Sequence, residues 1–247
     1  SDPIADANTF LKADELAQDL RVRAPLIPTE SVDVVVSNCV LNLVDDRAKT
    51  QLFSEIFRVL KNGGRAVISD IVSDEDIPAE MQNDPELWSG CISGAFREDL
   101  FLKAFEDAGF HGVEILALDK EPWQTVKGYE FRSMTLQAFK GKQGECFERN
   151  QAVIYKGPFK KVLDDDDHAM ERGKRYAVCD KTYNLYRKPP YNQFFEFVDP
   201  RTDIPLKSAS PYDCEKGQLR DPQETKGVDY EATTEASQCC DSGGDCC

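Results

Sequence analysis

The chain has 247 residues, 40% of them apolar, which is enough for one large folded domain or two modest ones. A formal net charge of −15 with a pI near 4.6 argues against a nucleic-acid partner, because binding a polyanion depends on Lys and Arg neutralising phosphates. No stretch approaches the roughly 18 apolar residues a spanning helix needs, and Ser1 to Asn8 are polar, so a soluble, cytoplasmic chain with no membrane partner is expected, as a monomer.

In chain order, Val32-Asp33-Val34-Val35-Val36-Ser37-Asn38 is a short β-branched run that predicts a central strand buried on both faces of a parallel sheet. From Asp46 the period becomes helical, with Leu52, Phe53, Ile56, Phe57, Val59 and Leu60 on one face, an Asp N-cap, and Gly63-Gly64 expected as the C-cap. Arg65 to Val72 returns to a strand, completing a strand, helix, strand crossover unit. Arg97 to Ala108 reads as a second helix ended by Gly109, Gly112 to Leu116 as a strand, Trp123 to Gly128 as a turn, and Glu130 to Phe139 as an alternating strand pairing back antiparallel at a sheet edge. These elements define an α/β, doubly wound domain over 1–140.

Gly141 and Gly144 then mark a linker, and Gln151 to Tyr155 and Tyr176 to Cys179 read as two short strands around a polar loop, a small subdomain over 141–186. Past Arg187, Pro189-Pro190, Pro205 and Pro211 with scattered aromatics predict an irregular extension over 187–247, whose Thr, Glu, Ser and Gly-rich, Cys-containing end is expected to be disordered. Nine cysteines, an odd number without secretory features, predict free thiols in a reducing compartment, available for metals or chemistry. Any one of them can equally be a packed small hydrophobe.

Three segments narrow the chemistry. Ser37-Asn38-Cys39-Val40-Leu41-Asn42-Leu43 is similar to the segment after a strand in arsenite methyltransferases. Leu87-Trp88-Ser89-Gly90-Cys91-Ile92-Ser93-Gly94-Ala95 resembles their first arsenic-binding cysteine motif. Cys146 to Gly157 resembles the second cysteine with its Gln-x-x-x-Tyr-x-Gly strand. The likeness runs over roughly residues 8 to 183. It implies the class I methyltransferase fold from its third strand onward, with Asn8 to Glu15 as that third strand, Ser31 to Asn42 as the fourth and Arg65 to Ile71 as the fifth. Asp14 and Glu15 would then lie near the adenine of S-adenosylmethionine, and Asn38 and Cys39 at the rim of its pocket. No glycine-rich G-x-G-x-x-G turn occurs, and too few residues precede the fourth strand for two strands with their crossover helices, so a partial domain with weak cofactor binding of its own is expected.

The resemblance implies methyl transfer from S-adenosylmethionine to trivalent arsenic, with Cys91 and Cys146 as the catalytic, arsenic-ligating thiols, arsenite or its thiol conjugates as substrate, and glutathione or thioredoxin as reductant. Trivalent arsenic is soft and thiophilic, which suits thiolate ligands. Its lone pair attacks the sulfonium methyl directly, so positioning replaces a general base. Two alternatives stay open: a methyltransferase of another small molecule such as a quinone or sterol, and a noncatalytic thiol protein that sequesters arsenite. Glu145 and Glu148 beside Cys146 are expected to raise its pKa. In Val178-Cys179-Asp180-Lys181-Thr182, Asp180 and Lys181 replace the Gly-Asn of a recurrent segment of the family, which questions a redox role for Cys179. Asp164 to Asp167 with His168 reads as a solvated acidic turn rather than a calcium loop. The pairs Cys239-Cys240 and Cys246-Cys247 are either an arsenic-capturing tail or a dispensable one.

Overall fold

The computed structural model describes residues 6–214, 217–227 and 229–233, and the chain divides into two compact units, Ser1–Lys142 and Gln143–Cys247. The first unit opens on helix α1 (Ala7–Arg23), where a strand was expected. A capping box starts it: the Asp6 carboxylate accepts from Thr9 N at 2.8 Å while Asp6 N donates to Thr9 Oγ1 at 3.0 Å. Ala, Leu, Lys, Glu and Gln fill the turns that follow, and their helix propensity outweighs the β-branched Thr9 and Val22. Residues 8–15 are therefore not the third strand of a sheet.

Strand β1 (Val32–Asn38) leads through helix α2 (Asp46–Val59) into β2 (Leu60–Ser73), which pairs with β1 in parallel. Asp45 caps α2 by accepting from Arg47 N at 2.9 Å, and Phe53, Ile56 and Val59 form its buried face. The glycines do not end this helix. It passes straight into β2 at Leu60, and Gly63-Gly64 lie inside that strand, where the register with β1 shifts. A Cβ on Gly64 would stand 2.9 Å from Lys61 O and 3.0 Å from Asp33 O, so the irregularity requires glycine for space.

Two short helices, α3 (Ala79–Gln82) and α4 (Pro85–Ser89), precede β3 (Phe96–Arg97), α5 (Glu98–Asp107), β4 (His111–Leu118), β5 (Gln124–Val126) and β6 (Tyr129–Phe139). The six-stranded sheet has the path β1-β2-β6-β4, with β3 on β2 and β5 on β6. The α/β class holds, with two corrections of position. β6 is not an edge strand, since it inserts antiparallel between β2 and β4. β1 is not central among the described strands: it is an edge, and Val34 and Val36 are 44% and 72% exposed. A continuous apolar run reports capacity for burial on both faces, and neighbours decide whether it is used. Between sheet and helices, Phe53, Phe105 and Phe110 pack edge to face with ring centroids 5.0 and 5.4 Å apart.

In the second unit, β7 (Phe147–Glu148) and β8 (Ala152–Tyr155) are followed by the hairpin β9 (Lys161–Leu163) and β10 (Ala169–Glu171), then β11 (Arg175–Ala177), α6 (Asp180–Tyr186), β12 (Phe195–Val198), β13 (Ser210–Pro211) and α7 (Pro222–Lys226). β8 is the middle strand of an antiparallel β11-β8-β12 sheet, and β13 pairs with β7. Among the described residues after Arg187, β12, β13 and α7 give regular structure where an irregular extension was expected. Phe195 and Phe197 give β12 a strand's composition, and Tyr155, Tyr183, Tyr186 and Phe195 close the core around it, with the Tyr186 and Phe195 rings stacked at 4.7 Å. Residues 234–247, with Cys239, Cys240, Cys246 and Cys247, lie outside the described residues. Among the described residues no helix is long and apolar enough to cross a membrane.

Candidate functional site

In the first unit the expected residues gather at the carboxyl end of β1. The chain leaves the strand through Cys39, which adopts a left-handed φ of +54°, donates its N–H to Ser69 O at 3.0 Å, and directs its thiol to Asn38 Oδ1 at 3.2 Å. Asp70 of β2 lies beneath, almost fully buried, and its two oxygens accept from Leu41 N and Ile71 N, each at 2.8 Å. Burial pushes this carboxyl up, against the pull of those donors. Asn42, also buried, donates through Nδ2 to Ile71 O at 2.7 Å and to Cys91 O at 3.0 Å, which ties the cysteine loop to the sheet.

Cys91 is half-buried, with a left-handed φ of +61° and its N–H bonded to Trp88 O at 3.0 Å. Burial raises its thiol pKa, and Asp70 and Cys39 raise it further, which also places the three groups in one electrostatic neighbourhood. The glycine at the end of the motif has a steric cause: a Cβ on Gly94 would lie 2.0 Å from Asn42 O. Lys49 Nζ reinforces this close approach by donating to Gly94 O at 2.6 Å. Asn38, Cys39 and Cys91 are therefore brought to one end of the sheet. Asp14 and Glu15 are not strand-end residues: both are exposed on α1, and Asp14 accepts from Gln18 Nε2 at 2.9 Å on the same helix.

In the second unit Cys146 has partners that its sequence neighbours do not reveal. The sulfurs of Cys146, Cys179 and Cys214 all lie within 4.8 Å of one another. Cys146 precedes β7, Cys179 is the N-cap residue of α6, and Cys214 follows β13, so three separate segments converge. Tyr212 N donates to Cys146 O at 2.8 Å, and Tyr212 Oη to Ala177 O at 2.9 Å, which laces these segments together. His168 holds the third, with Nε2 2.8 Å from Cys214 O and Nδ1 2.8 Å from Asp164 Oδ2.

Burial pushes the Cys146 thiol up, but hydrogen bonds from Cys214 and Cys179 and the nearby Lys181 ammonium more than offset it, so its pKa falls below the ordinary value. The expectation that flanking acids raise it is overturned: Glu148 is engaged by Arg220 Nη2 at 2.6 and 2.9 Å. Burial, and then donation to Cys146, push Cys214 well up instead. The substitutions at 180 and 181 also find their places, Asp180 bonding Arg149 Nη1 at 2.6 Å and Lys181 Nζ donating to Gly144 O at 3.1 Å beside Cys146. Cys214 was missed in the sequence because Pro-Tyr-Asp-Cys carries no local signal; only the pairing of β13 with β7 brings it in.

Residues 6–109 match a family model described as a methyltransferase domain, and residues 142–230 match a domain of unknown function, DUF8838, that contains all three clustered cysteines. An arsenite methyltransferase of Mus musculus is 30% identical over 206 residues, which are 79% of this chain and 54% of that protein. The chain is thus similar to arsenite methyltransferases over part of their length. The protein of that name in Halobacterium salinarum is 42% identical over 94 residues, 38% of this chain and 24% of its own. The chain spans about half the length of the first of these relatives. Among solved structures, an arsenic (III) S-adenosylmethionine methyltransferase from Chlamydomonas reinhardtii is 24% identical with a TM-score of 0.48, over 78% of this chain and 66% of that one.

Proposed function

We propose that the whole protein transfers a methyl group from S-adenosylmethionine to trivalent arsenic held on cysteine thiolates, with Cys91 in the first unit and Cys146 in the second as arsenic ligands. The observation that carries this reading is the placement of Cys91, in a glycine-dependent loop anchored by Asn42 at the carboxyl end of a methyltransferase-type sheet, where open α/β sheets bind their ligands. S-adenosylmethionine, when bound, supplies an electrophilic sulfonium methyl. Asn38 and Cys39 fit the rim of such a pocket, whereas Asp14 and Glu15, exposed on a helix, do not fit an adenine site and drop out of the proposal.

The thiolates orient the arsenic lone pair, and an atom that carries its own lone pair needs no base to free it. Both histidines have other work: His111 is buried and stacks on Phe139 at 6.1 Å, and His168 bridges Asp164 and Cys214 O. Glutathione or thioredoxin is the proposed reductant that keeps the thiols free. In the full-length protein, Cys91→Ser and Cys146→Ser are each expected to lower formation of methylated arsenic more than about 100-fold while S-adenosylmethionine affinity changes little. Arsenic-specific mass spectrometry of the products, with calorimetry for the cofactor, checks this, and undiminished product in both variants rejects the assignment.

A further inference from the structure

We propose that Cys146, Cys179 and Cys214 form a self-contained three-sulfur site in the second unit that captures arsenite as a three-coordinate thiolate complex. The inference takes its ligand from the arsenic chemistry above, but its geometry stands on the second unit alone. Three sulfurs already lie within 4.8 Å of one another. Taking the Zn–S length of about 2.3 Å as a yardstick for a soft centre, three sulfurs around one atom stand at most about 4.0 Å apart, so small side-chain movements complete the site.

Ligand number selects the guest. Structural zinc takes four protein ligands, whereas among the described residues this group has three members and no carboxylate or imidazole. The nearest histidine is committed, since His168 uses one ring nitrogen on Asp164 and the other on Cys214 O. Trivalent arsenic takes three ligands and keeps a lone pair in the fourth direction. Cys179 and Cys214, though not Cys146, also line a cavity of about 20 Å³ with Thr182 and Tyr212, room for about one water-sized group.

The exchange balances without a redox partner. Arsenite enters as the neutral trihydroxide; three As–O bonds break and three As–S bonds form. The three thiol protons leave with the three hydroxides as three waters, and arsenic stays trivalent. Cys146, the thiol beside Lys181 Nζ, is the first nucleophile, and each As–S bond formed brings the next thiol into reach.

The test uses the full chain with Cys39, Cys91, Cys239, Cys240, Cys246 and Cys247 changed to Ser, so that other thiols cannot supply the signal. With arsenite alone as probe, X-ray absorption should show three As–S contacts and no As–O contact at one arsenic per chain. Adding Cys179→Ser or Cys214→Ser should reduce these to two As–S and one As–O and weaken arsenite binding at least tenfold. Serine at 179 retains an oxygen for the N-cap of α6, and circular dichroism of each variant checks the fold. Three As–S contacts persisting in both variants, or a mixed As–S/As–O signal in the starting protein, overturns the site, as does zinc binding more tightly than arsenite. A three-sulfur complex in full-length protein that yields no methylated arsenic would refute the methyltransferase reading and leave this site standing.

Discussion

Lys181 and Asp70 act on the two candidate arsenic thiols in opposite directions. Lys181 stands beside Cys146 and helps to lower its pKa, while Asp70 adds to the burial that raises Cys91. Lys181→Met should therefore slow alkylation of Cys146 by iodoacetamide at neutral pH by about two- to fivefold, and Asp70→Asn should speed that of Cys91 by a similar factor. Peptide mass mapping of alkylation rates reads both, and a change of the same sign at the two thiols sinks the assignment. At this scale the sequence singled out Cys91 and Cys146 as candidates through their motifs. It misjudged the electrostatics of Cys146, because Glu148 is adjacent in the chain but spent on Arg220, while Lys181 is distant in the chain and adjacent in space.

The β9–β10 hairpin shows how an acidic run becomes an element. Asp164 accepts from Asp166 N at 3.0 Å, from His168 N at 2.8 Å and from the Tyr186 hydroxyl, and pairs with the His168 ring, so one carboxylate shapes the turn and pins it to α6. Burial pushes Asp164 up, but bonds from His168 and Tyr186 outweigh it and leave its pKa below the ordinary 3.8; the bond to Asp164 raises His168 above 6.5. Asp164 thus adds stability that is complete above 3.8 and lost as pH falls through its folded pKa. His168 adds stability that is complete below 6.5 and lost as pH rises through its folded pKa. Urea denaturation of the chain should find the pair at full strength between those limits, with Asp164→Asn costing about 2 kcal/mol near pH 5 and flattening both limbs. An unchanged pH profile in the variant contradicts the pairing. The sequence marked this run as a turn from composition; which of four consecutive aspartates organises it depends on the reach of His168 and Tyr186.

Over the whole molecule, the proposed cofactor and arsenic chemistry make separate demands on the chain. The residues proposed to lie near a cofactor are Asn38 and Cys39 at one strand end, and the sequence contains no glycine-rich turn to hold the rest of it. Calorimetric titration of the 247-residue chain with S-adenosylmethionine should accordingly give an affinity weaker than about 1 mM, and a micromolar value would show that other groups complete the pocket. The sequence by itself determined the α/β class, the β1-α2-β2 unit and the strand at 152–155, because periodicity and capping are local properties. Only the tertiary structure decided that residues 8–15 are helical, that β6 lies between β2 and β4, that β12 completes a sheet, and that Cys146 meets Cys179 and Cys214. Strand order and thiol clustering are contacts between segments tens of residues apart. Their energy comes from packing and pairing partners that no local stretch of sequence names.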